Sequence, residues 1–478
     1  MRSALSPHTL ILSLFIALSL KPLMSQADQE GNYTYTVTAG KSAITAFSKD
    51  YVGALTIPAQ LGGYPVAAIA NNSFMSCASI TEVIIPGTVT NIGEFAFGQC
   101  GMLATVVLPD SLTNLGLAAF YACSRLKHIT IPGSVSIIGK TAFSDCGLTN
   151  ITICMGVKNI GNGAFENCPF LTSAVIPASV TNIADLAFSR CYGLNNVNLG
   201  TNVLSVGSSA FAYCYSLKGI AIPSSVIRFS ASTFANCTNL ACFTIPDSVS
   251  NMGTSTFYGC TGLTNVVIGS GVTSIGQYAF YNCTRLTHVT IPISVTSIGQ
   301  YAFCNCAGLT NVVIGSGVTS IAESAFKSCS ELTVLTIPGN VASLGYEAFK
   351  SCKKLTAIRF LGNIPTLSGQ YVFYDTPAKI YYLPDFASNW PATFGGRPTL
   401  CWNPTVQKDA AFGFTENRFG FNITGTASIP VAVEATTNLA IGVWMPLTNA
   451  TLGASGSLSF TDPSSTHMPA RFYRIVWP

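Results

Sequence analysis

The residues able to do chemistry in this chain of 478 are seventeen cysteines and four histidines. Thirteen of the cysteines follow a phenylalanine by three positions, in phrases such as Phe280-Tyr281-Asn282-Cys283 that recur from Phe74 to Cys352. Each step is 23 residues, except for the 22 from Phe143 to Phe165. A cysteine nucleophile needs a base beside it, and a disulfide needs a partner aimed at it. One column of a repeat offers neither. Stacked copies lie about 4.8 Å apart, within disulfide reach, yet their side chains point the same way. The column therefore reads as a ladder of buried free thiols acting as small hydrophobes.

The histidines are as dispersed. His8 precedes the repeats and His467 follows them, while His128 and His288 share one column seven coils apart, on the order of 34 Å, so they cannot share a ligand or a proton. Cys304-Asn305-Cys306 is a C-x-C pair with no second pair or histidine to complete a zinc site. No D-x-D-x-D calcium loop occurs among the nineteen acidic residues, and the repeat columns hold mostly Ser, Thr, Asn and Gly where paired carboxylates would be needed. No catalytic residue, cofactor or metal is assigned on this reading.

The elements that position these residues follow from the period. A fixed repeat of 20–50 residues marks a solenoid, whose units bury their apolar faces only against each other. In the coil starting at Leu263, Val266 and Ile268 have the spacing of a strand, closed by Gly269 where most coils have a proline that stops the ladder. Val272 and Ile275 form a second short extended stretch. Ala279, Phe280 and Cys283 then follow at the i, i+1, i+4 spacing of one helical or 3₁₀ turn. The expected fold is a repeat solenoid with parallel β ladders and short helical or 3₁₀ turns. Its structural ladder includes Phe257, Cys260, Phe280, Cys283, Phe303, Cys306, Phe326 and Cys329.

Outside the regular coils the pattern changes. Arg2, the apolar stretch Leu10 to Leu20 and the small residues Ser25 and Ala27 read as a secretory signal over 1–27, too short to span a bilayer. Cleavage there removes Arg2 and Lys21 and takes the formal charge from +4 to +2. Residues 28–70, with the alternating Tyr33 to Thr38 and the turn Gly62-Gly63-Tyr64-Pro65, read as an N-terminal cap and first atypical coil. The regular solenoid spans 71–354. Segment 355–402 loses the period, gains aromatics and reads as a C-terminal cap. Residues 403–478 carry short alternating runs between Gly, Asn, Pro and Ser clusters, as in a small β-sandwich-like module.

The consensus visible from Leu286 to Cys306, L-T-x-V-x-I-P-x-S-V-T-x-I-G-x-x-A-F-x-x-C, resembles the BspA-like leucine-rich repeat family. The resemblance runs from about Leu55 to Phe373, with departures at Cys154 (usually Pro), at the 22-residue coil, and at Thr376 (usually Cys). It implies a bacterial surface or secreted protein, of a kind that serves binding and adhesion rather than catalysis.

Only 9% of residues are charged, so neither a nucleic-acid footprint nor a polyanion surface is indicated, although 49% are hydrophobic. What remains for function is the solvent face of the first strand. Its third and fifth columns include Asn265, Val267, His288, Thr290, Asn311 and Val313, the candidate binding residues. The function these features point to is an exported, non-enzymatic binding or adhesion protein offering an extended solenoid face to a protein or glycan. A structural cell-envelope spacer without a specific ligand is the alternative, and an enzyme the third. No nucleic-acid partner or transmembrane segment in the mature chain is expected. Residues 403–478 read either as a means of envelope attachment, by analogy with terminal modules of some bacterial surface proteins, or as a plain accessory domain.

Overall fold

A computed structural model describes residues 27–465 and 470–478. The expected signal segment up to residue 26 and His467 lie outside them.

Alternating β-branched residues set the first strand of each coil. In His288–Ile291, Val289 and Ile291 point inward and are buried, while His288 and Thr290 face water. Pro292 ends the strand and opens a turn that Val295 N–H closes on the Pro292 carbonyl (3.1 Å). A second strand of two residues, Ser297–Ile298, follows, with its isoleucine buried. First strands stack in parallel register, His288 on Asn311 and Ile291 on Ile314, and second strands do likewise, Ile275 on Ile298 and Ile298 on Ile321. About sixteen turns result, from Gly53–Thr56 to Arg397–Cys401.

The third side carries the Phe-x-x-Cys phrase, and its short turns are consecutive hydrogen-bonded turns rather than helix. Ala279, Tyr281 and Cys283 donate three residues back, to the carbonyls of Gly276, Tyr278 and Phe280. The amides between them point along the solenoid: Tyr278, Phe280 and Asn282 donate to Gln300, Ala302 and Cys304 of the next coil at 2.9, 2.7 and 2.9 Å. This alternation requires left-handed backbone two residues before and two after each phenylalanine, as at Tyr278 (φ 56°) and Asn282 (φ 61°). The same columns force Thr141 and Leu186 to φ 50° and 60°, at a cost of roughly 1–2 kcal/mol each. A 3₁₀ helix does form at Pro384–Asn389, beyond the regular coils.

Inside, the phenylalanines stack. Phe257, Phe280, Phe303 and Phe326 are fully buried, and their ring centroids are 5.1 to 5.3 Å apart with planes within 8° of parallel. The ends are closed by the same chemistry. Phe47 covers Phe74 at 4.8 Å, on a strand, Lys41–Phe47, that pairs antiparallel with Tyr33–Thr38 and parallel with Tyr64–Ile69. At the other end Phe394 packs on Phe373, beside the buried Trp390. Segment 355–402 thus keeps coiling after its sequence period is lost: Ala357–Phe360, Lys379–Tyr382 and Arg397–Cys401 pair in parallel.

The ladder cysteines are buried and free, and they also donate. Cys283 Sγ lies 3.2 Å from the Phe257 carbonyl of the preceding coil, and Cys306 Sγ 3.1 Å from that of Phe280. Thr376, which stands in the cysteine column, does the same from its hydroxyl to Phe349 O at 2.7 Å. The column selects a small side chain that is also a donor.

Residues 403–478 form two antiparallel sheets. One comprises Thr405–Gln407, Gly413–Thr415, Arg418–Thr424 and Ser457–Thr461; the other Pro430–Thr436, Met445–Thr451 and Phe472–Val476. Phe421, Ile423, Val431, Val433, Leu452 and Phe460 fill the space between them.

Burial pushes the ladder thiols of Cys191, Cys260 and Cys352 up from their ordinary value of 9 to about 12. Below pH 9 these thiols are protonated in folded and unfolded chains alike, so their contribution to stability is intact. As the pH rises through 9 only the unfolded chain ionises, and each such thiol removes about 1.4 kcal/mol per pH unit until its folded value is reached. The urea midpoint should therefore be level from about pH 7 to 8.5 and fall steeply between about 9 and 11. A midpoint still level at about pH 11 would contradict the ladder.

Candidate binding face

The six candidate residues lie on three adjacent first strands, Asn265–Val267, His288–Ile291 and Asn311–Ile314. Parallel pairing sets Asn265 beside His288 and His288 beside Asn311, with Thr290 beside Val313 in the fifth column. Val267 and Val313 are 51% and 49% exposed, a large fraction for valine in a strand. His288, Thr290 and Asn311 are exposed and Asn265 is half-exposed. The grid is regular because the buried ladder beneath it repeats, and its polarity changes from coil to coil.

Threonines of the neighbouring second column serve the stack. Thr264, Thr287 and Thr310 each donate from Oγ1 to the carbonyl of the coil before, at 2.9 to 3.2 Å. Their hydroxyl protons are engaged, which leaves the third and fifth columns as the variable surface.

Titratable groups do not converge on this face. His128 and His288 are both exposed and sit on separate strands, the first beside Asn150. Of the C-x-C pair, Cys306 points inward to the Phe280 carbonyl, and Cys304 is buried with its thiol pushed up to about 11. Among the described residues no group of three or more His, Cys, Asp or Glu gathers in a way that could hold a metal ion. The most enclosed ionic cluster of the solenoid, Glu347 between Lys327 and Lys350 at 2.5 Å each, is on the turn side of the coils.

At its C-terminal end the face differs from the sequence-based expectation. Ala357 and Arg359 continue the third and fifth columns, yet Ala357 is buried and Arg359 half-buried. The terminal module lies over them. Arg359 sits against one aromatic of the linker and one of the module, 4.7 Å from the Trp402 ring and 5.6 Å from that of Trp477. Tyr381, the next residue of the Arg359 column, packs edge-on against Trp477 at 4.7 Å. Trp402 Nε1 donates to the Pro430 carbonyl at 2.7 Å, tying the linker to the module. Alongside this contact runs a groove of about 520 Å³, with Thr356, Lys379 and Tyr381 on the solenoid wall and Pro430, Thr451 and Trp477 on the module wall. Sequence reasoning missed both contact and groove. The available signal was an arginine in a column otherwise made of small, apolar or amide residues, together with two unplaced tryptophans.

Comparison with known proteins agrees with the repeat geometry. A family model described as BspA type leucine rich repeat region matches in six copies, over residues 44–172, 158–286 and 251–380. A leucine-rich repeat protein from Bacteroides ovatus has a similar structure, with 24% identity, a TM-score of 0.57, and coverage of 79% of this chain and 100% of that one. A leucine rich cell surface protein from Faecalibacterium prausnitzii aligns at 27% identity over 75% of this chain and 94% of its own, with a TM-score of 0.40. No curated protein matches the chain in sequence.

Two outcomes check this geometry. Replacing Arg359 by Ala removes the guanidinium from its place against the two indoles, at a cost of roughly 0.5–2 kcal/mol. Tryptophan emission should shift to the red and protease cleavage in the 402–404 linker should accelerate, whereas unchanged emission and cleavage would show that the module is held otherwise. Alkylation of the native chain should label the exposed Cys242 first, the half-exposed Cys154 and Cys401 more slowly, and the fourteen buried cysteines only after unfolding. Rapid labelling of ladder positions would contradict the buried column.

Proposed function

The chain belongs to the BspA-type leucine-rich repeat family, and from that premise we propose that it is an exported, non-enzymatic binding or adhesion protein of the cell surface or its surroundings. The observation that carries the proposal is the grid of Asn265, Val267, His288, Thr290, Asn311 and Val313: apolar, amide, hydroxyl and imidazole groups in fixed register, weakly charged, on a scaffold that needs none of them for its own core. A rigid, repeated surface of that kind suits a partner of some length, a protein or a glycan, because it loses little entropy when it binds. No helix of the described residues is long and apolar enough to cross a membrane.

A second reading, a structural envelope spacer without a ligand, draws support from the second-column threonines, whose hydroxyls are engaged within the stack. One experiment separates the two. The full chain is tested against immobilised matrix proteins and a glycan array, beside a variant carrying Val267→Arg, Thr290→Arg and Val313→Arg. The binding reading expects capture of at least one probe, weakened by about tenfold or more in the variant, which corresponds to about 1.4 kcal/mol. The thermal midpoint should move little, since exposed positions typically contribute within about 0.5 kcal/mol. An empty screen, or capture indifferent to the three substitutions, would overturn the assignment to this face.

A further inference from the structure

The terminal module has two ends, and only one is used by the contact already described. Its solenoid end comprises Ser428, Pro430, Thr451 and Trp477 beside the groove. Strand register then places Thr436, Met445 and Phe472 at the other end, where Thr436 pairs with Phe472 and Ala435 with Met445. Six residues of strand separate Pro430 from Thr436, about 20 Å.

That far end is apolar and uncovered. The hairpin linking Pro430–Thr436 to Met445–Thr451 presents Leu439, Ile441, Val443 and Met445 at alternate positions, each between 56% and 68% exposed. Phe414, in the hairpin of the other sheet, and Phe472 are exposed as well, at 67% and 43%. These side chains are not misplaced core, because the space between the sheets is already filled by Phe421, Ile423, Val431, Val433 and Phe460. An apolar patch of this extent on a small domain marks an interaction surface.

Its chemistry identifies the occupant. No charged residue occurs from Ala435 through Thr461. The polar side chains at the hairpin's base are turned onto its own backbone: Thr436 Oγ1 donates to the Asn438 carbonyl and accepts from the Asn438 amide, and Asn438 Oδ1 accepts from the Ala440 amide. A protein partner needs free donors and acceptors, about one hydrogen bond per 100–200 Å², and these side chains offer it few, whereas the interfacial layer of a bilayer takes apolar side chains while its headgroups and water serve the open backbone of the tip. Behind the tip, Trp444 stacks under the Arg474 guanidinium at 4.3 Å, and Arg474 pairs with Glu434 at 2.6 Å. Apolar tip, then indole, then charged pair is the order in which a lipid bilayer changes from acyl chains to headgroups to water.

We propose that the far end of the terminal module is a membrane-contact surface, in which the 437–445 hairpin inserts its apolar side chains into the interfacial layer of a lipid bilayer. The inference goes beyond the binding face of the solenoid and stands whether or not that face has a ligand. In this arrangement the hairpin holds the chain to the lipid while the solenoid projects from the other end of the module.

The test is sedimentation of the full chain with phosphatidylcholine vesicles, read alongside tryptophan emission. The chain should pellet with the vesicles, with a blue shift that Trp444→Phe removes, and both should persist in about 1 M salt because burial rather than charge drives them. Ile441→Asp with Val443→Asp should weaken pelleting by about tenfold or more, with an unchanged thermal midpoint, and Ile441→Ser with Val443→Ser should weaken it less. A chain that stays in the supernatant at millimolar lipid, or pelleting indifferent to either pair, would overturn the proposal. So would light scattering that shows a dimer which the same substitutions dissociate, since the occupant would then be a second copy.

Discussion

Each coil of this protein completes its backbone hydrogen bonds on the coil beside it. The two strands do so in the usual parallel manner, but the third side does it with left-handed residues that no isolated peptide of this sequence would hold. Tyr278 and Asn282 can keep φ near 60° because their amides reach the carbonyls of Gln300 and Cys304. Each such residue costs roughly 1–2 kcal/mol, and a hydrogen bond returns about 0.5–1.5, so the balance is met only when phenylalanine stacking is added. Strain, hydrogen bonds and ring stacking therefore stand or fall together. That is the physical content of the repeat: a coil is not a folding unit, and only the stack is.

This constraint acts inward and leaves the outside free. Side chains whose neighbours are copies of themselves must keep their size, which is why Phe, Cys, Leu and Ile hold their columns. Residues facing water from the first strand touch only their equivalents one coil away, at a spacing any side chain tolerates. Asn265, His288 and Asn311 succeed one another in the third column, and Val267, Thr290 and Val313 in the fifth, without disturbing Val266, Val289 or Val312 beneath. A surface so decoupled from its core can be rewritten coil by coil, which is the property a recognition surface needs.

Periodicity made the solenoid legible, because a 23-residue recurrence of Phe and Cys has no other stable explanation, and the alternation of His288–Ile291 named its outward residues correctly. It did not reveal how the turn side is built. Ala279, Phe280 and Cys283 fall at i, i+1, i+4 in both a helical turn and the observed chain of turns, so inward spacing cannot separate them. Composition could have done so: Asp145, Asn167, Asn282, Asn305 and Asp375 share a column with the positive-φ Gly259, and Asn, Asp and Gly are the residues that adopt left-handed backbone most readily. The role of cysteine as a donor was likewise visible in one substitution. A column of pure hydrophobes would be varied by Ala or Val, whereas this one is varied by Thr376, which keeps the bond to the carbonyl behind it.

The covered end of the face lay beyond periodicity for a different reason. A repeat predicts contacts between copies, and the contact of Arg359 with Trp402 and Trp477 joins residues that have no copies. Such contacts must be inferred from exceptions, and Arg359 is one: a cation in a column that holds Thr, Val, Ile, Asn and Ala in every coil from Ile84 to Thr336. Placed in water, an arginine at the end of a flat strand face would need no explanation. Placed against two indoles that pack edge-on on each other, with Tyr381 buried beside it, it makes the module a continuation of the solenoid rather than a tethered appendage. A module fixed in this way transmits orientation: whatever its far end rests on determines the direction in which the exposed columns of the solenoid point.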